Sequence, residues 1–177
     1  EVTQNNYNVA DLNLEDITQI EIDLLKSQGI DTLFFDADNT LYPHHANKLD
    51  GKYEKAFIRL AQEFKIAIVS NNIKPSARRE LTDYFREFAT YHELNEIYVV
   101  QTKKKKPAED QFREARDALH TTYSQTAMIG DNINTDIIGA KRLGIYAIKV
   151  NPISPKSDNI FMRIGNYLGK KLIFKEK

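Results

Sequence analysis

The chain has 177 residues, 41% of them apolar, and 25 Lys plus Arg balance 25 Asp plus Glu to a formal net charge of zero. That balance lacks the basic excess of a nucleic-acid coat protein, and the apolar content is too high for a disordered chain. The absence of Cys excludes disulfides, thiol nucleophiles and Cys-ligated zinc, and no apolar run approaches the roughly 20 residues of a membrane-spanning helix. The length suits one domain over 1–177, and the acidic, polar first residues do not read as a secretory signal, so a cytoplasmic location is expected.

In chain order, Ile17, Ile20, Leu24 and Leu25 recur at helical spacing and predict an N-terminal helix over 15–28, stopped by Gly29. Residues 30–35 form a short apolar run that reads as a buried strand ending at Asp36. Tyr53, Ala56, Phe57, Leu60 and Phe64 mark a helix, and residues 66–69 a second strand ending at Ser70. Ala77, Leu81, Tyr84, Phe85 and Phe88 mark the next helix, followed by a third strand over 97–100. Pro107 suits the first turn of a helix carrying Ala108, Phe112, Ala115 and Leu119. A fourth strand over 126–129 ends at Gly130 and Asp131, a short helix spans 135–143, and a fifth strand spans 145–150. Short apolar strands separated by amphipathic helices predict an α/β fold: a doubly wound, five-stranded parallel, Rossmann-like sheet with helices on both faces and a core at about 30–150.

In such a sheet the ligand sits beyond the carboxyl ends of the strands. The polar residues there are Asp36, Asp38, Asn39 and Thr40 after strand one, and Ser70, Asn71 and Asn72 after strand two. Strand three leads into the four lysines at 103–106, and strand four into Asp131, with Asp136 five residues on. Clustered carboxylates repel one another unless a cation holds them. Oxygen-only ligation favours a hard metal such as Mg²⁺, and a lysine and a serine suit a phosphoryl group. The inferred chemistry is Mg²⁺-assisted phosphoryl transfer.

These motifs, in this order and at strand ends, resemble those of the haloacid dehalogenase (HAD) superfamily over roughly residues 30–150. The tripeptide Ser70-Asn71-Asn72, and Asp131 followed by Thr135 and Asp136, resemble subclass IIIA, the YqeG-like phosphatases, to which the phosphatidylglycerophosphate phosphatases are similar. The resemblance implies that Asp36 is the nucleophile and Asp38 the general acid and then base. It implies a Mg²⁺ site built from Asp36, Asp131 and the backbone carbonyl of Asp38, with Asp136 as a further ligand or an outer anchor, and phosphate binding by Ser70, Asn71 and Lys106. At the lysine run, Lys103, Lys104 and Lys105 remain alternatives for the motif's cation.

The spans from Thr40 to Ser70 and from Ser70 to Lys106 each hold only a helix, a strand and connections, leaving no room for a cap domain. The expected substrate is a phosphorylated small molecule, lipid or protein; an open site suits a bulky one, such as a lipid headgroup or a phosphoprotein, and the resemblance implies phosphatidylglycerophosphate as a candidate. The loop at 42–51, with His44 and His45, is the candidate lid. Past strand five, Ile160, Phe161, Ile164, Tyr167 and Leu168 form an apolar stripe in a tail, 151–177, that holds six Lys or Arg and two Asp or Glu. That pattern fits packing on the domain, an oligomer contact, or a peripheral contact with an anionic membrane. Two other functions use similar parts. A receiver-like phospho-signalling module shares the sheet and strand-end acids, but normally carries adjacent acids on strand one. A catalytically retired scaffold would keep the fold and bind partners or membrane through the tail. Neutrality also hides a division, since residues 1–50 hold ten acids and two bases while the rest is basic.

Overall fold

Six strands pair in parallel into one sheet in the computed structural model, which describes residues 9–43, 46–72 and 74–154. They are β1 (Leu12–Leu14), β2 (Thr32–Phe35), β3 (Lys65–Ile68), β4 (Ile97–Val99), β5 (Thr126–Gly130) and β6 (Tyr146–Val150), in the spatial order β1-β6-β5-β2-β3-β4. The connecting helices are α1 (Ile22–Ser27), α2 (Gly51–Ala61), α3 (Pro75–Tyr91), α4 (Glu109–Ala118) and α5 (Ile138–Arg142). The chain moves outward from β2 to β3 and β4, then returns to β5 on the other side of β2. The carboxyl ends of β2 and β5 therefore flank the point where the winding reverses, which is where such sheets bind ligands.

Alternation along each strand splits the interior into two cores. Phe35, Ile66, Ile68 and Ile129 face Phe57 and Leu60 of α2 and Phe85 and Phe88 of α3. Phe34, Ala67, Val69 and Met128 face Phe112 and Ala115 of α4 and Ala140 of α5. On the first side, Phe57 joins the layers, meeting Phe35 edge-on at 5.5 Å and lying 5.6 Å from Phe85 and 5.7 Å from Phe88, each between ring centroids. Both faces are covered because consecutive residues of the central strands, Leu33, Phe34 and Phe35 of β2 and Ala127, Met128 and Ile129 of β5, are apolar and buried.

Three expectations change. The sheet has six strands rather than five: Leu12 and Leu14 add β1 at the edge, in register with Ile148 and Val150 of β6. Three residues around Asn13 are too short a run for periodicity to detect, and their pairing partner lies far along the chain. The single helix expected over 15–28 is two pieces, a 3₁₀ turn at Ile17–Gln19 and α1. Asp16 caps the turn by accepting from the Thr18 N–H at 2.8 Å, and Ile20 is extended, its carbonyl accepting from the Arg59 guanidinium at 2.8 Å. The helix expected over 135–143 begins as a π-helical turn, Ile133–Ile137, which continues into α5. The tail stripe past residue 154, and His44 and His45 of the candidate lid, lie outside the described residues. Among the described residues no helix is long and apolar enough to cross a membrane.

Candidate active site

β2 delivers Asp36 to the sheet's rim, where its backbone N–H still donates to the Ile129 carbonyl at 2.9 Å. The chain then doubles back: Leu41 N–H donates to the Ala37 carbonyl at 2.9 Å and Asn39 N–H to the Tyr42 carbonyl at 2.8 Å. Asn39 makes this possible by adopting φ +63°, a left-handed conformation that Asn tolerates better than most residues. The segment after β6 fastens the same turn, Ile153 N–H donating to the Asn39 carbonyl at 3.0 Å and Ser154 Oγ to Asn39 Oδ1 at 2.8 Å. Asp36 and Asp38 are thus held on a short, tied loop.

Of the four consecutive lysines, 103–105 are exposed and Lys106 is buried. Its Nζ lies 2.7 Å from Asp36 Oδ1 and 2.7 Å from Asp136 Oδ1. Asn71 positions it from the backbone: Lys106 N–H donates to Asn71 Oδ1 at 2.8 Å, and Asn71 Nδ2 donates to the Lys106 carbonyl at 3.2 Å. Buried Gln111 adds a bond from Nε2 to the Lys104 carbonyl at 2.8 Å. Asp136 is equally constrained, its Oδ2 accepting from the Asn132 N–H and its Oδ1 from Thr135 Oγ1, both at 3.1 Å.

One carboxylate oxygen from each of Asp36, Asp131 and Asp136 lies within 4.8 Å of the others. Burial pushes the Asp36 carboxyl up to about 7; the Lys106 ammonium pulls it back, while the Asp136 and Asp131 charges raise it further. Burial works against the Lys106 charge too, but Asp136 and Asp36 hold its ammonium above the usual value. By formal count, three carboxyl groups are gathered around one ammonium. An oxygen-only donor set with an uncompensated excess of negative charge fits a hard divalent cation.

These groups open onto a cavity of about 340 Å³ lined by both Asp36 and Asp38, by Ser70 and Asn72, and by Asp131 and Asp136. The structure therefore brings together all the catalytic and metal-ligand candidates. Ser70 lines the cavity and accepts from the Asn72 N–H through Oγ at 3.2 Å. Asn71 also lines it, but its side-chain amide is engaged with the Lys106 backbone, an arrangement its strand-end position does not reveal. Thr135 of the expected motif lines the same cavity, whereas Gln111, which braces the lysine run, belongs to none of the strand-end motifs. Gln111 sits next to Phe112 on α4, and a polar residue on the buried side of an amphipathic helix is the clue that points to it. A larger cavity, about 770 Å³, opens beside Ile20, Lys52 and Arg59, and no carboxylate cluster lines it.

A family model described as mitochondrial PGP phosphatase matches residues 2–153. Phosphatidylglycerophosphate phosphatase 1, chloroplastic/mitochondrial, of Arabidopsis thaliana is 26% identical over 157 residues, covering 86% of this chain and 43% of that protein. Probable phosphatase YqeG of Bacillus subtilis (strain 168) is 25% identical over 161 residues, covering 90% of this chain and 86% of that protein. This chain therefore spans less than half the length of the plant relative and most of the bacterial one. Among solved structures, an uncharacterized protein from Listeria monocytogenes serotype 4b aligns with a TM-score of 0.55 at 23% identity, over 73% of this chain and 84% of that one. An IMP-nucleotidase from Plasmodium falciparum aligns with a TM-score of 0.51 at 13% identity, over 75% of this chain and 67% of that one. At these identities the two structures speak to the fold alone. With the family model spanning the whole sheet and all the strand-end motifs, the chain belongs to the mitochondrial PGP phosphatase family, a YqeG-like group of HAD-type phosphatases.

Proposed function

We propose that this chain is a Mg²⁺-dependent phosphomonoester hydrolase that works through an aspartyl-phosphate on Asp36. The observation that carries the reading is the Lys106 ammonium, buried and bonded to both Asp36 and Asp136 within an oxygen-only carboxylate cluster. In the first step an Asp36 carboxylate oxygen bonds to phosphorus while the phosphorus–ester oxygen bond breaks. Asp38 gives its proton to the departing oxygen, and an alcohol leaves. In the second step water attacks phosphorus, Asp38 takes its proton, and phosphate departs as Asp36 is regenerated. Lys106 neutralises the phosphoryl group and the nucleophile throughout, and Ser70 offers a hydroxyl to a phosphate oxygen. A Mg²⁺ held by Asp36, Asp131, Asp136 and the Asp38 region would supply charge neutralisation of the phosphoryl oxygens.

The connections between Asp36, Ser70 and Lys106 hold only α2 with β3 and α3 with β4, and this supports an open site accepting a bulky substrate. The family description and the plant relative's name support phosphatidylglycerophosphate as that substrate. The receiver-like and scaffold alternatives draw no support from the family match. Release of phosphate from p-nitrophenyl phosphate, with and without Mg²⁺, tests the chemistry. Asp36→Asn is expected to abolish Mg²⁺-dependent turnover, and equal rates in the two proteins would end the proposal. Phosphatidylglycerophosphate in detergent micelles tests the substrate, with preference over soluble monoesters as the expected result.

A further inference from the structure

A second, smaller cavity of about 80 Å³ adjoins the catalytic one. The two share Asp38, Ser70 and Asn72, while Asp36, Asp131 and Asp136 line only the first. The small cavity's other walls are Tyr42, Asn47, Ala77, Glu80 and Leu81. It therefore lies on the Asp38 side of the phosphoryl position, away from the carboxylate cluster. In an in-line displacement the ester oxygen leaves opposite the Asp36 carboxylate, towards the group that protonates it. Resting on the reading of Asp36 and Asp38 above, this cavity is where the leaving group would emerge.

Its walls are built rather than incidental. Ala77, Glu80 and Leu81 are three and four residues apart, so they form one face of α3. The loop opposite is tied to the same helix, Leu49 N–H donating to Tyr84 Oη at 2.8 Å. Asn47 sits in that loop at φ +56°. The Asn72 wall is braced by buried Arg78, whose Nε donates to the Asn72 carbonyl at 3.3 Å. Tyr42 is buried, and burial with the Asp38 and Asp36 charges raises its phenol, so it remains a neutral donor. The volume is far below the roughly 300 Å³ at which drug-sized ligands begin, so only the first few atoms of a leaving group fit.

The polar groups are two hydrogen-bonding amides, a phenol, the Ser70 hydroxyl and two carboxylates, Asp38 and Glu80, and among the described residues Glu80 makes no ion pair. We infer that this cavity is a leaving-group subsite for an uncharged, hydroxyl-bearing group, and that Glu80 is the specificity-determining residue that disfavours an anion there. A carboxylate on the departing alcohol would meet Glu80 and Asp38 across a narrow space, a repulsive element of the kind that sets specificity.

Glycerol 3-phosphate and 3-phosphoglycerate test this directly, because a CH₂OH in one stands where the other has a carboxylate. The wild type is expected to prefer glycerol 3-phosphate in kcat/KM by roughly tenfold or more. Glu80→Lys should reverse or erase that preference mainly through KM for 3-phosphoglycerate, and Glu80→Gln should fall between. Asn47→Asp, which adds a carboxylate to the opposite wall, should widen the preference. Glu80 is exposed, so the variants are expected to fold, and unchanged thermal midpoints check this. If p-nitrophenyl phosphate is turned over but the preference is the same in all four proteins, the subsite assignment is overturned while the phosphatase reading stands. If the wild type is as inactive as Asp36→Asn on all three substrates, the phosphatase reading fails and the subsite falls with it.

Discussion

Gly130 ends β5 directly beneath Asp136, and a Cβ built there would come within 2.2 Å of Asp136 Oδ2 and 2.5 Å of its Cγ. No side chain fits without displacing the carboxylate that Lys106 and the Asn132 N–H hold. Gly130→Ala is therefore expected to lower kcat/KM by at least about 100-fold, since positioning errors near 1 Å cost that much. It should also cost roughly 1–3 kcal/mol of stability through overpacking. Steady-state kinetics with a denaturant titration separates the two effects. Asp16 is a structural counterpart far from the chemistry. Burial would raise its carboxyl, but the bonds from Lys52 and Thr18 outweigh that and hold it below the usual Asp range. A depressed carboxyl contributes stability above its unfolded pKa and loses it as pH falls through the folded value. Asp16→Asn is thus expected to cost at most about 1 kcal/mol at pH 7, because Lys52 is largely exposed. The difference from wild type should shrink as pH falls through and below the ordinary Asp range, as measured by urea unfolding across pH.

Among the elements, the connection from β4 to α4 decides which lysine acts. Four consecutive lysines are chemically equivalent as sequence. What separates them is that Asn71, at the end of a different strand, brackets the Lys106 peptide while Gln111 takes the Lys104 carbonyl. Asn71→Ala is expected to lower kcat roughly tenfold, reflecting about 1–3 kcal/mol from unsatisfied backbone groups and a loosened ammonium. KM for p-nitrophenyl phosphate should change less, because the cation remains in the chain; a large rise in KM with intact kcat would contradict the positioning role. The strands themselves were legible because their apolar runs end abruptly at Asp36, Ser70 and Asp131. β1 was not, since a three-residue edge strand is specified by its partner β6 rather than by its own pattern. The π-helical turn at Ile133–Ile137 overlaps the start of the ordinary helix expected over 135–143. Periodicity there registers Ile137 and Ala140 facing the core, but not the widened turn in which both the Asp136 and Ile137 N–H groups reach the Asn132 carbonyl.

For the whole molecule, the carboxylate cluster is a standing excess of negative charge in a folded interior, so a cation that binds only the folded state stabilises it. At Mg²⁺ concentrations about 100 times the dissociation constant the gain is about 2.7 kcal/mol. The thermal midpoint should rise with Mg²⁺ and fall back with a chelator, and Asp131→Asn should blunt the response. Na⁺ at matched ionic strength producing the same rise would show general screening instead. Formal neutrality concealed this local imbalance, just as it concealed the acidic first 50 residues beside a basic remainder. The kinds of groups at the rim, and their order, were determined by the sequence alone, because each is attached to the end of a locally encoded apolar strand. Only the tertiary structure decided that Asp36 and Asp136, a hundred residues apart in the chain, share one lysine. That lysine is Lys106 and Asn71 braces it, because these contacts exist only once the parallel strands lie side by side and bring distant loops to one edge.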